Sequence, residues 1–82
     1  LLVIYDHEEV WPIHTKGLLF PIDIAWLGSD KRIVYIAKGA KPSATATYTP
    51  GGKSRYVLQL PAGSIMKHNI VVGKSVKFDY GG

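Results

Sequence analysis

Apolar and polar residues alternate along most of this chain, and the alternation predicts strands. Leu1 to Tyr5 is rich in β-branched and aromatic residues and is closed by Asp6-His7-Glu8-Glu9, so it reads as a buried strand followed by a polar turn. Pro12 cannot donate to a ladder, which makes Val10 to Thr15 an edge strand or an irregular extended piece. From Ile22 to Leu27 the two faces separate cleanly: Ile22, Ile24 and Trp26 share one, and Asp23, Ala25 and Leu27 share the other. Gly28 to Lys31 forms a turn, and Arg32 to Ala37 returns as the second arm of a hairpin. That arm has Ile33 and Tyr35 on one side and Val34 and Ile36 on the other, the signature of a central strand covered on both faces.

Further along, Gly39, Pro42, Pro50 and Gly51-Gly52 lie among small residues. They predict a long surface loop from Lys38 to Lys53 with at most a short strand near Thr45 to Tyr48. Arg55 to Leu60 is a strand that Pro61 stops. Ser64 to His68 reads as one helical turn with Ile65 and Met66 pointing inward, ended by Asn69 in the left-handed conformation. After a turn at Val71 to Lys74, Ser75 to Tyr80 is a last strand with Val76, Phe78 and Tyr80 inside. These elements define an all-β or β-rich α+β fold in a single domain spanning residues 1–82. Five or six mostly antiparallel strands should curl into a small barrel or half-barrel with one short helix. Its predicted core is Ile4, Ile22, Ile24, Trp26, Ile33, Tyr35, Val57, Leu58, Leu60, Ile65, Val76 and Phe78.

Composition narrows the picture. The 82 residues include no cysteine, so neither a disulfide framework nor a thiolate metal site supports the core. A domain of this size buries only about 60% of its unfolded surface, which leaves a narrow stability margin. One Asn, one Gln and one Met is the depletion of thermolabile residues found in proteins that work hot. No apolar run approaches the roughly 18 residues of a membrane span. The chain opens on Leu1 inside an apolar run, which reads as a fragment or a processed product.

Charge is uneven along the chain. Asp6, Glu8, Glu9, Asp23 and Asp30 fall in the first part, whereas Lys31 to Phe78 holds nine Lys or Arg and no acid. Such a distribution fits either a footprint for nucleic acid or solvated outer faces of strands.

Two segments go beyond strand patterning: Ile13-His-Thr-Lys-Gly-Leu-Leu-Phe-Pro-Ile-Asp-Ile-Ala-Trp-Leu27, and Arg55-Tyr-Val-Leu-Gln-Leu-Pro-Ala-Gly-Ser64 followed by Asn69-Ile-Val-Val-Gly-Lys-Ser-Val76. Together they resemble domain-of-unknown-function family 192. Its members carry a Phe-Pro-Ile-Asp strand, a Leu-Glu-Leu-Pro-Ala-Gly strand end and a Gly-Ile-x-x-Gly-Asp-x-Val turn. Asn69 stands where the family commonly has Gly, and Lys74 where it commonly has Asp. The resemblance implies no settled activity. It does imply that the family's domain begins earlier, with a strand and a short helix, so that a sheet edge here is open to self-association or strand addition. Exported and membrane-anchored relatives point to an extracytoplasmic location.

No three or four ligating side chains show metal-binding spacing, although His7, His14, His68, Asp6, Glu8, Glu9 and Asp23 are available, and no cofactor motif is present. Gly51-Gly-Lys-Ser54 lacks the earlier glycine and the following helix of a phosphate-binding loop. The sharpest catalytic arrangement pairs His14 as base with Asp23, and Thr15 or Ser54 as nucleophile. Its structural counterpart has Asp23 turned inward onto backbone amides or Arg55, with His14 a satisfied semi-buried residue. His14, Thr15, Asp23 and Arg55 are accordingly the ligand-binding candidates. Lys38, Lys41, Lys53, Lys74 and Lys77, with Arg55 and Lys67, are the nucleic-acid candidates, and Tyr35, Tyr48 or Tyr56 the stacking platforms. The leading functional expectation is a non-catalytic binding or self-assembly module. A small hydrolase using His14 and Asp23, and a nucleic-acid-binding barrel, are the alternatives.

Overall fold

The computed structural model describes residues 1–77. Its strands are β1 (Leu2–Glu9), β2 (Ile13–His14), β3 (Ile22–Leu27), β4 (Ile33–Ala40), β5 (Thr47–Tyr48) and β6 (Ser54–Pro61), and its helix is α1 (Ser64–Lys67). Four strands form one antiparallel sheet in the order β1-β6-β3-β4, while β2 and β5 pair separately. The fold is thus β-rich with one short helix, as the alternation predicts, and the sheet stays open instead of closing into a barrel.

Burial follows the pleat. Every residue of β3 is buried, because the strand is paired on both sides and covered on both faces. Ile22, Ile24 and Trp26 pack with Val57 and Ala40 beneath Ile13 of β2, Leu18 and Tyr48 of β5. Ala25 and Leu27 pack on the opposite face with Ile33 and Tyr56, beneath Ile70 and Val76. The sheet is therefore the middle of three layers, with the small β2/β5 sheet on one side and the segment after α1 on the other. Trp26 is fully buried, and its indole N–H donates to the Trp11 carbonyl at 2.8 Å, satisfying the one polar atom of the largest core side chain.

Several expectations are corrected. The central strand is β3, whereas β4 lies at the sheet's edge, with Val34 and Tyr35 each 40% exposed. Its register with β3 shifts between the Trp26–Tyr35 and Leu27–Ile33 pairs, which carries Val34 out of the regular ladder. β1 is likewise an edge strand, and it runs on through the acidic stretch to Glu9 instead of turning at Asp6. Ile4 is consequently 39% exposed and belongs to neither buried cluster. Met66 is 74% exposed, because a single helical turn can point only Ile65 at the sheet. Of the remaining predicted core, Ile22, Ile24, Trp26, Ile33, Val57 and Ile65 are buried, and Leu58, Leu60 and Val76 are half-buried.

Other local expectations match. Asn69 ends α1 at φ 52°, and Gly73 turns the chain at φ 91°. The chain then runs along the outer side of β4: Ile33 N–H donates to the Lys74 carbonyl at 2.9 Å, and Gly73 N–H to the Ile33 carbonyl at 2.7 Å. Of the last predicted strand, Ser75 to Lys77 are among the described residues, and there Ser75 forms a bridge with Arg32. Phe78 and Tyr80, predicted to face inward, lie outside the described residues.

Candidate functional site

Asp23 is the only charged side chain among the buried residues described, and its carboxylate is fully engaged. Oδ1 accepts the Gly39 N–H at 2.9 Å, and Oδ2 accepts those of Gly63 at 3.0 Å and Ile65 at 2.9 Å. The pleat of β3 sends this side chain to the α1 side of the sheet, where both donors from the helix start converge. A bulge brings the third donor: two residues of β3, Ile22 to Ile24, span three in β4, Ala40 to Ala37, and Gly39 adopts φ 63° within it. Three N–H donors satisfy a buried carboxylate without any counter-ion.

The other candidates lie elsewhere. His14 is exposed on β2, across the sheet from Asp23, with Nδ1 3.2 Å from Thr47 Oγ1. Thr15 is fully buried, and its hydroxyl has no hydrogen-bond partner among the described residues; the same holds for Ser54. Arg55 donates from Nε to the Tyr5 carbonyl at 3.1 Å and sits 5.7 Å from the centre of the Tyr56 ring. On β6 it is five positions from Leu60, the residue paired with Asp23, or about 16 Å along the strand. The fold thus gathers His14 with Thr47 and Arg55 with Tyr5, and joins neither to Asp23.

The basic candidates divide between two places. Lys38 lies on β4 and Lys41 just beyond it, Lys74 runs along the outer side of the same strand, and Lys77 follows three residues later. Lys53 precedes β6, in a loop whose Gly51 abuts the Tyr35 ring. Exposed acids collect far from Lys38 and Lys41. Glu9 pairs with Ser54 at the start of β6, and Glu8 accepts the Ser29 N–H at 3.1 Å at the β3–β4 turn. Asp6 lies in the same stretch, and its hydrogen bond with His7, together with electrostatic attraction to that ring, holds its carboxyl below the ordinary carboxylate value. Among the described residues no cluster of three or more His, Cys, Asp or Glu could hold a metal ion, and no helix is long and apolar enough to cross a membrane.

Sequence reasoning missed an apolar hollow at the Asp23 end of the sheet. It lies on the β2 side and is lined by Leu1, Leu18, Phe20, Ile22, Gln59, Leu60 and Pro61, with a volume of about 260 Å³. Among the described residues that line it, Gln59 alone is of a polar type. Above it arches the connection from β2 to β3, turned by a Leu18 N–H bond to the Thr15 carbonyl at 3.3 Å and by Gly17 at φ 83°. A signal was present: Leu18-Leu19-Phe20 is a run of large apolar residues placed directly before a proline, where no strand needs them.

An open antiparallel sheet between a two-stranded flap and a single helical turn, with a sealed carboxylate and an apolar hollow, defines a small β-rich α+β domain in which His14 and Asp23 stand apart. The chain belongs to the DUF192 family, described as Uncharacterized ACR, whose model matches residues 1–78. Its fold is similar to that of a proposed transcription regulator from Sinorhizobium meliloti 1021, with TM-score 0.83 and 25% identity over 88% of this chain and 56% of that one. It is also similar to a protein of unknown function from Novosphingobium aromaticivorans DSM 12444, with TM-score 0.87 and 22% identity over 94% of this chain and 55% of that one. The chain therefore spans little more than half the length of these solved structures. No curated protein matches it in sequence.

Proposed function

We propose that this domain is a non-catalytic binding module whose working surface is the apolar hollow beneath the β2–β3 connection. The observation that carries this reading is the contrast between two sites at the same end of the sheet. Asp23 has both oxygens committed to backbone N–H groups, whereas the neighbouring hollow is open, nearly all apolar and bordered by Phe20 at 56% exposure. At about 260 Å³ it suits a small apolar group or one or two side chains, just below the roughly 300–1,000 Å³ typical of ligand pockets. Titration with the fluorophore 1-anilinonaphthalene-8-sulfonate, followed by methyl NMR, should perturb Leu18, Ile22 and Leu60. Phe20→Ala should weaken the affinity about fivefold or more by removing one wall. Perturbations confined to other residues would reject the hollow as the binding surface.

A nucleic-acid reading has its own supporting observation. Lys38, Lys41 and Lys74 follow one edge strand beside Tyr35, which is 40% exposed. Cations interleaved with an accessible ring are what single-stranded nucleic acid uses. On this reading, single-stranded DNA binding measured by fluorescence polarisation should fall steeply with added salt, and a Lys38→Glu, Lys41→Glu double variant should lose about tenfold in affinity. Binding indifferent to salt would reject it. The hydrolase reading has the least support, since His14 and Asp23 face opposite sides of the sheet.

A further inference from the structure

The β2–β3 connection exposes Leu19 almost completely, at 96%, next to the half-exposed Phe20. The segment is tied down at both ends. Its first turn closes through the Leu18 bond to the Thr15 carbonyl, and Pro21 accepts the Ala62 N–H at 3.3 Å. Buried Thr15 and Ile22 flank it, so the two apolar side chains are presented on a supported tip.

Electrostatics distinguishes what such a tip would meet. Lys16 is exposed in the same segment, and Lys41 follows Ala40, the β4 partner of Ile22, at the same end of the sheet. The exposed acids Asp6, Glu8, Glu9 and Asp30 belong to the far half of β1 and the β3–β4 turn. That end is separated from the Ile22–Pro61 pair by the length of β3, about 16 Å. The remaining described carboxylate, Asp23, is buried with its oxygens occupied. Among the described residues, then, the end bearing Leu19 and Phe20 carries cations and no exposed anion.

We infer that this end of the domain docks peripherally on an anionic lipid bilayer, with Leu19 and Phe20 entering the interfacial layer and Lys16 meeting the lipid phosphates. Apolar side chains beside basic ones prefer the boundary between headgroups and acyl chains. A negative leaflet adds attraction for each nearby lysine. A second copy fits less well, since a two-fold contact through the same tip would bring Lys16 against its own counterpart. The inference rests on the reading of this end of the sheet, where the hollow lies, as the one that meets other molecules. Its centre is Leu19, however, which does not line the hollow, and that separates the two experimentally.

The test is flotation of the full natural chain with vesicles of phosphatidylcholine alone or with about one-third phosphatidylglycerol. Flotation with the anionic vesicles only, weakened by salt, is expected. Leu19→Ser should lower the partition coefficient about tenfold or more while leaving 1-anilinonaphthalene-8-sulfonate affinity unchanged. Lys16→Glu should lower it by at least about fivefold, with Lys16→Arg close to the parent. Full binding of the anionic vesicles by Leu19→Ser would overturn the inference. So would a parent protein that binds the fluorophore yet ignores vesicles, the result expected if another part of a longer chain or a second copy covers the tip; that outcome leaves the hollow standing. Vesicle binding without fluorophore binding would support docking and reject the hollow.

Discussion

Asp23 accepts N–H groups from residues 16, 40 and 42 positions away, joining the β4 bulge to the start of α1. Replacing it with alanine would leave those donors facing a space without acceptors, and each orphaned donor costs about 1–3 kcal/mol. Asp23→Ala should therefore lose about 4 kcal/mol in urea denaturation, most of the margin of a domain whose stability is on the order of 5–10 kcal/mol. Asp23→Asn keeps one acceptor oxygen and should lose less; equal stability for all three proteins would contradict this account. The choice between a catalytic and a structural Asp23 was legible in part. A lone acid within an apolar strand must be hydrogen-bonded or paired. Its partners were not legible, because backbone N–H groups carry no side-chain signature and these come from distant parts of the chain.

Strand existence was easier to read than strand position. The run Ile33 to Ala37 is apolar on both faces, yet β4 takes the edge, where one outer side meets residues 73–76 and Tyr35 leans on Trp26 with ring centres 5.4 Å apart. Apolar content alone cannot separate a central strand from an edge strand whose flanks are covered by chain folding back. At the other edge, Leu1 exchanges both of its backbone bonds with Gln59. Alternation along an antiparallel strand then turns the N–H and C=O groups of Leu2 and Ile4 away from β6. Beyond them, the shifted register and the acids at 6, 8 and 9 discourage pairing. Assembly through β1 would therefore use Leu2 to Ile4. Light scattering should then show a dimer that Ile4→Lys converts to a monomer, and a parent protein that stays monomeric at high concentration would exclude this route.

At the scale of the whole molecule, linear order and spatial order diverge. Five of the chain's six acids precede the run of bases from Lys31 to Lys77, but the sheet order β1-β6-β3-β4 inserts the late strand β6 between two early ones. The sequence asymmetry is thereby remixed into an acidic β1 edge and an end of the sheet holding Lys16, Lys41 and the apolar tip. Neither feature could be read off the charge run alone. The hollow was illegible for the same reason, since its walls come from the start of β1, the β2–β3 connection, the start of β3 and the end of β6. What the alternation conveyed well was the layer to which each β3 side chain belongs, since six consecutive residues there obey the pleat.

The position of β6 also governs when the molecule can form. Among the described residues β1 has no sheet neighbour except β6, so Leu2 must wait for Leu58 to be synthesised. A nascent chain that has emerged only as far as the glycine pair at 51–52 can close the β3–β4 hairpin, yet β1 still waits for β6. Acquisition of structure should thus come late and nearly all at once, at the pace of folds dominated by non-local pairing.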